Sequence, residues 1–190
     1  MLQITIMLTL TALTLLAWVM SVQQSRIHVN VKHEEQQVNA IFALKDTRYF
    51  VVQIQQFLTD VGATKSDEAK SEALESKQSA LEHIEKLIQY APEFTVQAQN
   101  IKRQVNSLHD SGIKMADAYL TQGTDAGNLL MKSAGGFDDA AGDLADNLDL
   151  LAQKLDQQFI LTVNETLRAT TTAARVQLWG SIGIGLFIVI

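Results

Sequence analysis

The sequence has no cysteine and a single proline, Pro92, and it carries no charge from Met1 to Val22 or from Leu178 to Ile190. Each absence removes a class of chemistry. Without cysteine there are no disulfides, no thiol nucleophile and no covalent c-type haem attachment. With one proline, little interrupts a helix, and long helices become the default. Basic residues number 15 against 21 acidic ones, giving a net charge of −6, so no basic stripe is available to meet nucleic-acid phosphates. No G-x-S-x-G, Gly-rich phosphate loop or paired nucleophile and base occurs, and the expectation is a non-enzyme. The residues three before His28, His33, His83 and His109 are Ser25, Asn30, Ala80 and Asn106. None is a glutamate, which excludes the Glu-x-x-His pattern of di-iron helical bundles.

The two uncharged ends bracket everything else. "MLQITIMLTLTALTLLAWVMSV" gives about 33 Å of helix against a bilayer core of about 30 Å. It lacks the basic start, short apolar run and small-residue cleavage site of a signal peptide. Residues 1–22 are therefore read as a transmembrane helix. "LWGSIGIGLFIVI", residues 178–190, is too short to span, and its Trp179 and glycines suit the start of a second membrane helix, incomplete in this sequence. Residues 23–177 form one charged segment between them.

Within that segment the apolar spacing predicts helices. The first runs from Arg26 to Val61, with Val38, Phe42, Tyr49 and Val52 merging into Phe50, Ile54, Phe57, Leu58 and Val61 as one broad, drifting stripe. The second spans Asp67 to Tyr90, with Ser66 or Asp67 as cap and Ala73, Lys77, Ala80, Ile84 and Leu87 on its face. Pro92 suits the first turn of a third helix, whose stripe is Phe94, Ala98, Ile101, Val105, Leu108, Gly112, Met115 and Tyr119. A fourth starts near Thr124, bears Phe137, Ala141, Leu144, Leu148, Leu151, Leu155 and Phe159, and runs on into the second membrane segment, with Gly135–Gly136 as the place for a kink. The fold class expected is all-α: an antiparallel up-down four-helix bundle flanked by two transmembrane helices, the second truncated.

Two metal-type readings compete with simpler ones. His109, on the third helix, is placed to approach a b-type haem. Asp139, Asp143 and Asp146 share a helix face that suits a cation, but they also follow a Gly-Gly break, where a helix start favours negative charge. The simpler readings, a packed histidine and solvated aspartates, are preferred, and neither cofactor nor metal is expected.

The stretches "VVQIQQFLTDVGAT", 51–64, and "MADAYLTQGTDAGNLLMKSAGGFDDAAGDL", 115–144, resemble paired boxes in the sensor region of bacterial methyl-accepting chemotaxis proteins. In that family a V-V-Q-x-Q-Q-[FW]-L-T-D box on the first helix pairs with a G-N-x-L-M…F-D-x-A-A box on the fourth. This sequence departs by carrying "KSAGG" between Met131 and Phe137, and it has Tyr49–Phe50 where relatives often have a histidine. The resemblance implies a homodimeric chemoreceptor in the bacterial inner membrane, with residues 23–177 in the periplasm. It also implies a small-molecule ligand, bound directly or on a ligand-loaded periplasmic binding protein, and a cytoplasmic output module outside this sequence. A ligand pocket is expected from Gln53, Gln56, Asp60 and Thr64 with Asn128, on the argument that Gln53, Gln55 and Gln56 enter an apolar layer and need partners. The alternatives are the ectodomain of a sensor histidine kinase or diguanylate cyclase, a membrane-tethered scaffold without signalling, and a haem or metal redox sensor.

Overall fold

The computed structural model describes residues 2–189, and within them the side chains of 3 and 6–185. Met1 and Ile190, at the outer ends of the two expected membrane segments, lie outside the described residues. Among the described residues every element is helical: α1 (Leu2–Thr64), α2 (Glu68–Tyr90), a 3₁₀ turn (Pro92–Phe94), α3 (Thr95–Thr121), α4 (Thr124–Lys132) and α5 (Phe137–Val189). The fold is all-α. The chain divides into two compact units, one of residues 36–157 and one of residues 1–35 with 158–190.

In the first unit, α1, α2, α3 and α5 contribute to one core. Each supplies a seam at alternating steps of three and four, the spacing at which side chains interlock between helices crossing at small angles. On the 3₁₀ turn and α3 the seam is Phe94, then Ala98, Ile101, Val105, Leu108, Met115 and Tyr119, all buried as expected. On α5 it is Phe137, Leu144, Leu148, Leu151 and Leu155. On α2 it is mostly small: Ala69, Ala73, Ser76, Ala80, Ile84 and Leu87. Ser76 takes the buried place and Lys77 stands half-exposed on the flank.

Ion pairs fix the direction of the neighbours. Lys70 pairs with Asp117, Lys77 with Asp110 at 3.7 Å and Lys102 with Glu85 at 2.5 Å. Steps of seven and eight along α2 are matched by equal steps backwards along α3, so the two are antiparallel in constant register. α1 meets α2 through Asp46 and His83 (3.4 Å) and meets α5 through Arg48 and Asp149.

The first helix departs from expectation. Its apolar residues do not form one stripe but two. The buried seam is Gln37, Ala40, Leu44, Thr47, Val51, Ile54, Leu58 and Val61. Phe42, Tyr49 and Val52 are instead 58%, 58% and 50% exposed. At 100° per residue Phe42 and Tyr49 lie roughly 180–200° round the helix from the core seam, and Val52 roughly 120°. Thr47 is tolerated inside because its hydroxyl donates to the Ala43 carbonyl at 2.8 Å.

The fourth expected helix is also divided. Gly135 has φ +71° and the Gly136 N–H donates to the Ser133 carbonyl at 2.8 Å, so the chain leaves α4 and restarts as α5 instead of kinking. Only glycine takes that backbone conformation without steric cost.

In the second unit, the N-terminal part of α1 and the C-terminal part of α5 approach at Gly180, where a methyl would meet Leu16 Cδ1 within 2.6 Å. Among the described residues α1 alone is long and apolar enough to cross a membrane, with an 18-residue window of mean hydropathy 1.8 and no buried residue in it.

Candidate functional site

Tyr119 organises the turn that joins α1 to α2 and the start of α4. α1 ends as the Lys65 N–H donates to the Val61 carbonyl at 3.0 Å, with Lys65 itself at φ +56°. That is the left-handed C-terminal cap usually given to glycine. Its side chain repays part of the strain: Nζ sits 5.1 Å from the centre of the Tyr119 ring and 3.3 Å from the Tyr119 carbonyl. Cation–π contact at such partly exposed sites contributes about 0.5–1 kcal/mol. Gly127 lies so close to the same ring that a methyl would overlap it, and a methyl on Gly62 would come within 3.1 Å. The Tyr119 hydroxyl donates to Asn128 Oδ1 at 2.5 Å.

The five residues expected to line a pocket fall around this end in three local sets. Gln53 Nε2 and Gln56 Oε1 face each other at 3.5 Å. Thr64 Oγ1 donates to the Asp60 carbonyl at 2.8 Å and accepts from the Ser66 N–H at 3.3 Å, holding the helix end together. Asn128 is taken up by Tyr119. The glutamines do not enter an apolar layer: Gln53 and Gln55 are half-buried, while Gln56, Asp60, Thr64 and Asn128 are exposed. The reason is the two-stripe geometry of α1. Gln53, Gln56 and Asp60 continue the outer line of Tyr49 and Val52, on the far side from Val51, Ile54 and Leu58. Together they offer amides and a carboxylate on a helix face that is open at Gln56 and Asp60.

The aspartates after the Gly-Gly break have local employment. Asp139 Oδ2 accepts from the Gly135 N–H at 2.8 Å, and Asp138 pairs with Lys132 at 2.6 Å, raising the lysine pKa. Among the described residues no three His, Asp or Glu side chains gather as a metal site. His83 spans α1 and α2, its Nδ1 2.8 Å from the Ser79 carbonyl and its ring 5.5 Å from Phe50. His109 is 8% exposed, and burial pushes its pKa below the ordinary value, with Asp110 3.4 Å away opposing the shift. Its Nε2 is sealed without a hydrogen-bond partner. Lys70 is moved the other way, its pKa raised chiefly by hydrogen bonding to Asp117.

No family model, curated protein or solved structure matches the chain.

Sequence reasoning did not single out Tyr119, Lys65 or Gly127 as one cluster. Tyr119 was legible only as the last member of a core stripe. The available signal was a lone aromatic between two glycine-bearing turns, at the point where three helices end.

Proposed function

We propose that the chain is the sensor region of a transmembrane receptor of the chemoreceptor type, with its packed unit as an up-and-down four-helix bundle outside the inner membrane, in the periplasm. The observation that carries this reading is the pairing of two unbroken helices with charge-free ends. α1 runs without interruption from the membrane-length apolar segment to Thr64, and α5 from Phe137 to Val189. A shift of α5 along or about its axis relative to α1 would pass directly into the bilayer. States that differ by a few kcal/mol are within reach of differential ligand binding.

The second feature in support is the outer face of α1. Phe42, Lys45, Tyr49, Val52, Gln56, Thr59 and Ala63 recur at steps of three and four, a seam of the coiled-coil kind left without a partner in one chain. The occupant proposed is the same face of a second copy. In such a homodimer Gln53, Gln56 and Asp60, open in one chain, acquire a wall from the partner, and the ligand site forms there with Thr64 and Asn128 at its edge. The ligand is a small molecule, free or carried by a binding protein, and the output module is cytoplasmic.

The absence of cysteine gives a clean test. Single cysteines at positions 42, 49 and 52, in the full chain reconstituted in lipid nanodiscs, are expected to form cross-links between copies within minutes of mild oxidation. Cysteines at the buried positions 40 and 47 are expected to remain reduced. A thermal-shift panel on the same material is expected to return a stabilising compound. At 100-fold over its dissociation constant such a ligand adds about 2.7 kcal/mol, and Asp60→Ala should abolish the shift. Equal cross-linking at inner and outer positions would remove the dimer from the reading.

A further inference from the structure

The charges are partitioned along the chain. All 21 acidic residues and 11 of the 15 basic ones lie from Glu34 to Glu165, a net charge of −10. The other four basic residues are Arg26 and Lys32 on α1 and Arg168 and Arg175 on α5. They lie between those acidic limits and the charge-free ends, with no carboxylate among them. All four are exposed. Among the described residues every ion pair falls between Asp46 and Asp149, and none of the four takes part in one. An acidic protein thus keeps a collar of free cations next to its apolar ends.

The tryptophans set the level of this collar. Gly180 lies against Leu16, and Trp179 and Trp18 are one and two residues from that contact. The only two tryptophans of the chain therefore share one level to within a helical turn. They are 69% and 66% exposed, as suits a ring at the boundary between hydrocarbon and headgroups. Each headgroup layer is about 5–8 Å deep. Arg175 lies four residues outside Trp179, about 6 Å of helix axis, and Arg26 eight residues outside Trp18, about 12 Å. A helical side chain leans towards the N-terminus of its own helix. On α1 that direction is inwards, towards the apolar end, and on α5 it is outwards. Arg26 therefore leans in and Arg175 leans out, and both reach the headgroup layer. Lys32 and Arg168 start about 21 and 16 Å outside the tryptophans, beyond that layer.

We propose that Arg26 and Arg175 form a collar that selects anionic phospholipid, each guanidinium forking onto a lipid phosphate above the tryptophan level. A zwitterionic headgroup offers the same phosphate but brings its own ammonium, so the anionic one gains more. The inference rests on reading the charge-free ends as membrane segments, and adds the class of lipid that surrounds them.

The test reads the fluorescence of Trp18 and Trp179 in the full chain. It is reconstituted in vesicles of four parts phosphatidylcholine to one part phosphatidylglycerol. Bromine is carried on the acyl chains either of the phosphatidylglycerol or of an equal amount of the phosphatidylcholine, so composition is constant and only the quencher's headgroup changes. Brominated phosphatidylglycerol is expected to quench more, with a several-fold preference in relative association. Arg26→Gln and Arg175→Gln should each lower that preference by up to about fivefold, and the double variant should approach parity. Lys32→Gln should leave it unchanged, and 1 M salt, with a Debye length of about 3 Å, should erase most of it. Quenching by brominated phosphatidylcholine is the internal control for insertion of every variant. Normal quenching by that lipid with no preference for phosphatidylglycerol, or a preference untouched in the double variant, overturns the proposal and leaves the membrane reading standing. Quenching by neither lipid overturns both.

Discussion

Gln37 gives the sharpest test of the packing described above. It is 2% exposed in the α1 seam, one turn before Ala40, and neither end of its amide has a hydrogen-bond partner. An unmatched buried polar group costs about 1–3 kcal/mol. Methionine and leucine have nearly the same volume, and such volume-conserving swaps in a core cost less than about 1.5 kcal/mol. Gln37→Met, the closer in shape, is therefore expected to stabilise the chain by about 1–2 kcal/mol. For a unit of 100–150 residues that is a rise in Tm of roughly 4–8 °C. Gln37→Leu should gain somewhat less, because its branch fits the slot less well. The assay is thermal and urea unfolding of the full chain in micelles, followed by helical circular dichroism, with the urea midpoint shifted and its slope unchanged. A loss of 1 kcal/mol or more in both variants would refute the reasoning. It would mean that the amide is matched in the folded protein, by trapped water or by a second chain, and that the seam at this level is polar by construction.

Two glycines on neighbouring elements should respond in opposite directions. Gly127→Ala drives a methyl into the Tyr119 ring and is expected to cost about 1–3 kcal/mol by overpacking. Gly142→Ala on α5 meets nothing within 4 Å, and should gain about 0.5–1 kcal/mol from helix propensity; both are read from urea midpoints. His109 predicts a pH dependence. Its folded pKa lies below the unfolded value, so its contribution to stability is complete above about pH 6.5 and is lost as pH falls towards the folded pKa, because the unfolded chain then binds the extra proton. The slope from this one group is at most about 1.4 kcal/mol per pH unit, and His109→Gln should flatten the stability profile between pH 6.5 and 5. An unchanged profile would mean that this histidine does not control acid sensitivity.

The parts legible in the sequence were those where local chemistry and packing agree. Pro92 marks the end of α2, whereas Asp67 precedes its first residue without a side-chain cap bond; the α3 stripe is apolar at every seam position but Gly112, so spacing alone identifies the buried face. α1 defeats that logic because it has two faces at the same period. Its core side includes Gln37, Ala40, Ala43 and Thr47, while its outer side carries the larger Phe42, Tyr49 and Val52. A reader weighting size puts the wrong residues inside, and the glutamines that follow the outer line go inside with them. The Gly135–Gly136 break was visible as weakness, but its extent was not, since a positive φ is a choice among conformations glycine permits.

The antiparallel register of α2 and α3 has a mechanical meaning. Lys70–Asp117, Lys77–Asp110 and Lys102–Glu85 are spaced like teeth on two racks. Displacing one helix by a single turn would disengage all three together, and individually modest surface pairs act as a unit against that motion. Among the described residues, Arg48–Asp149 is the ion pair that ties α1 to α5, so one disengagement frees that contact. By ion pairs α2 and α3 are the more firmly keyed pair; in the proposed receptor they would serve as the stator, and the sliding stroke would belong to α1 and α5.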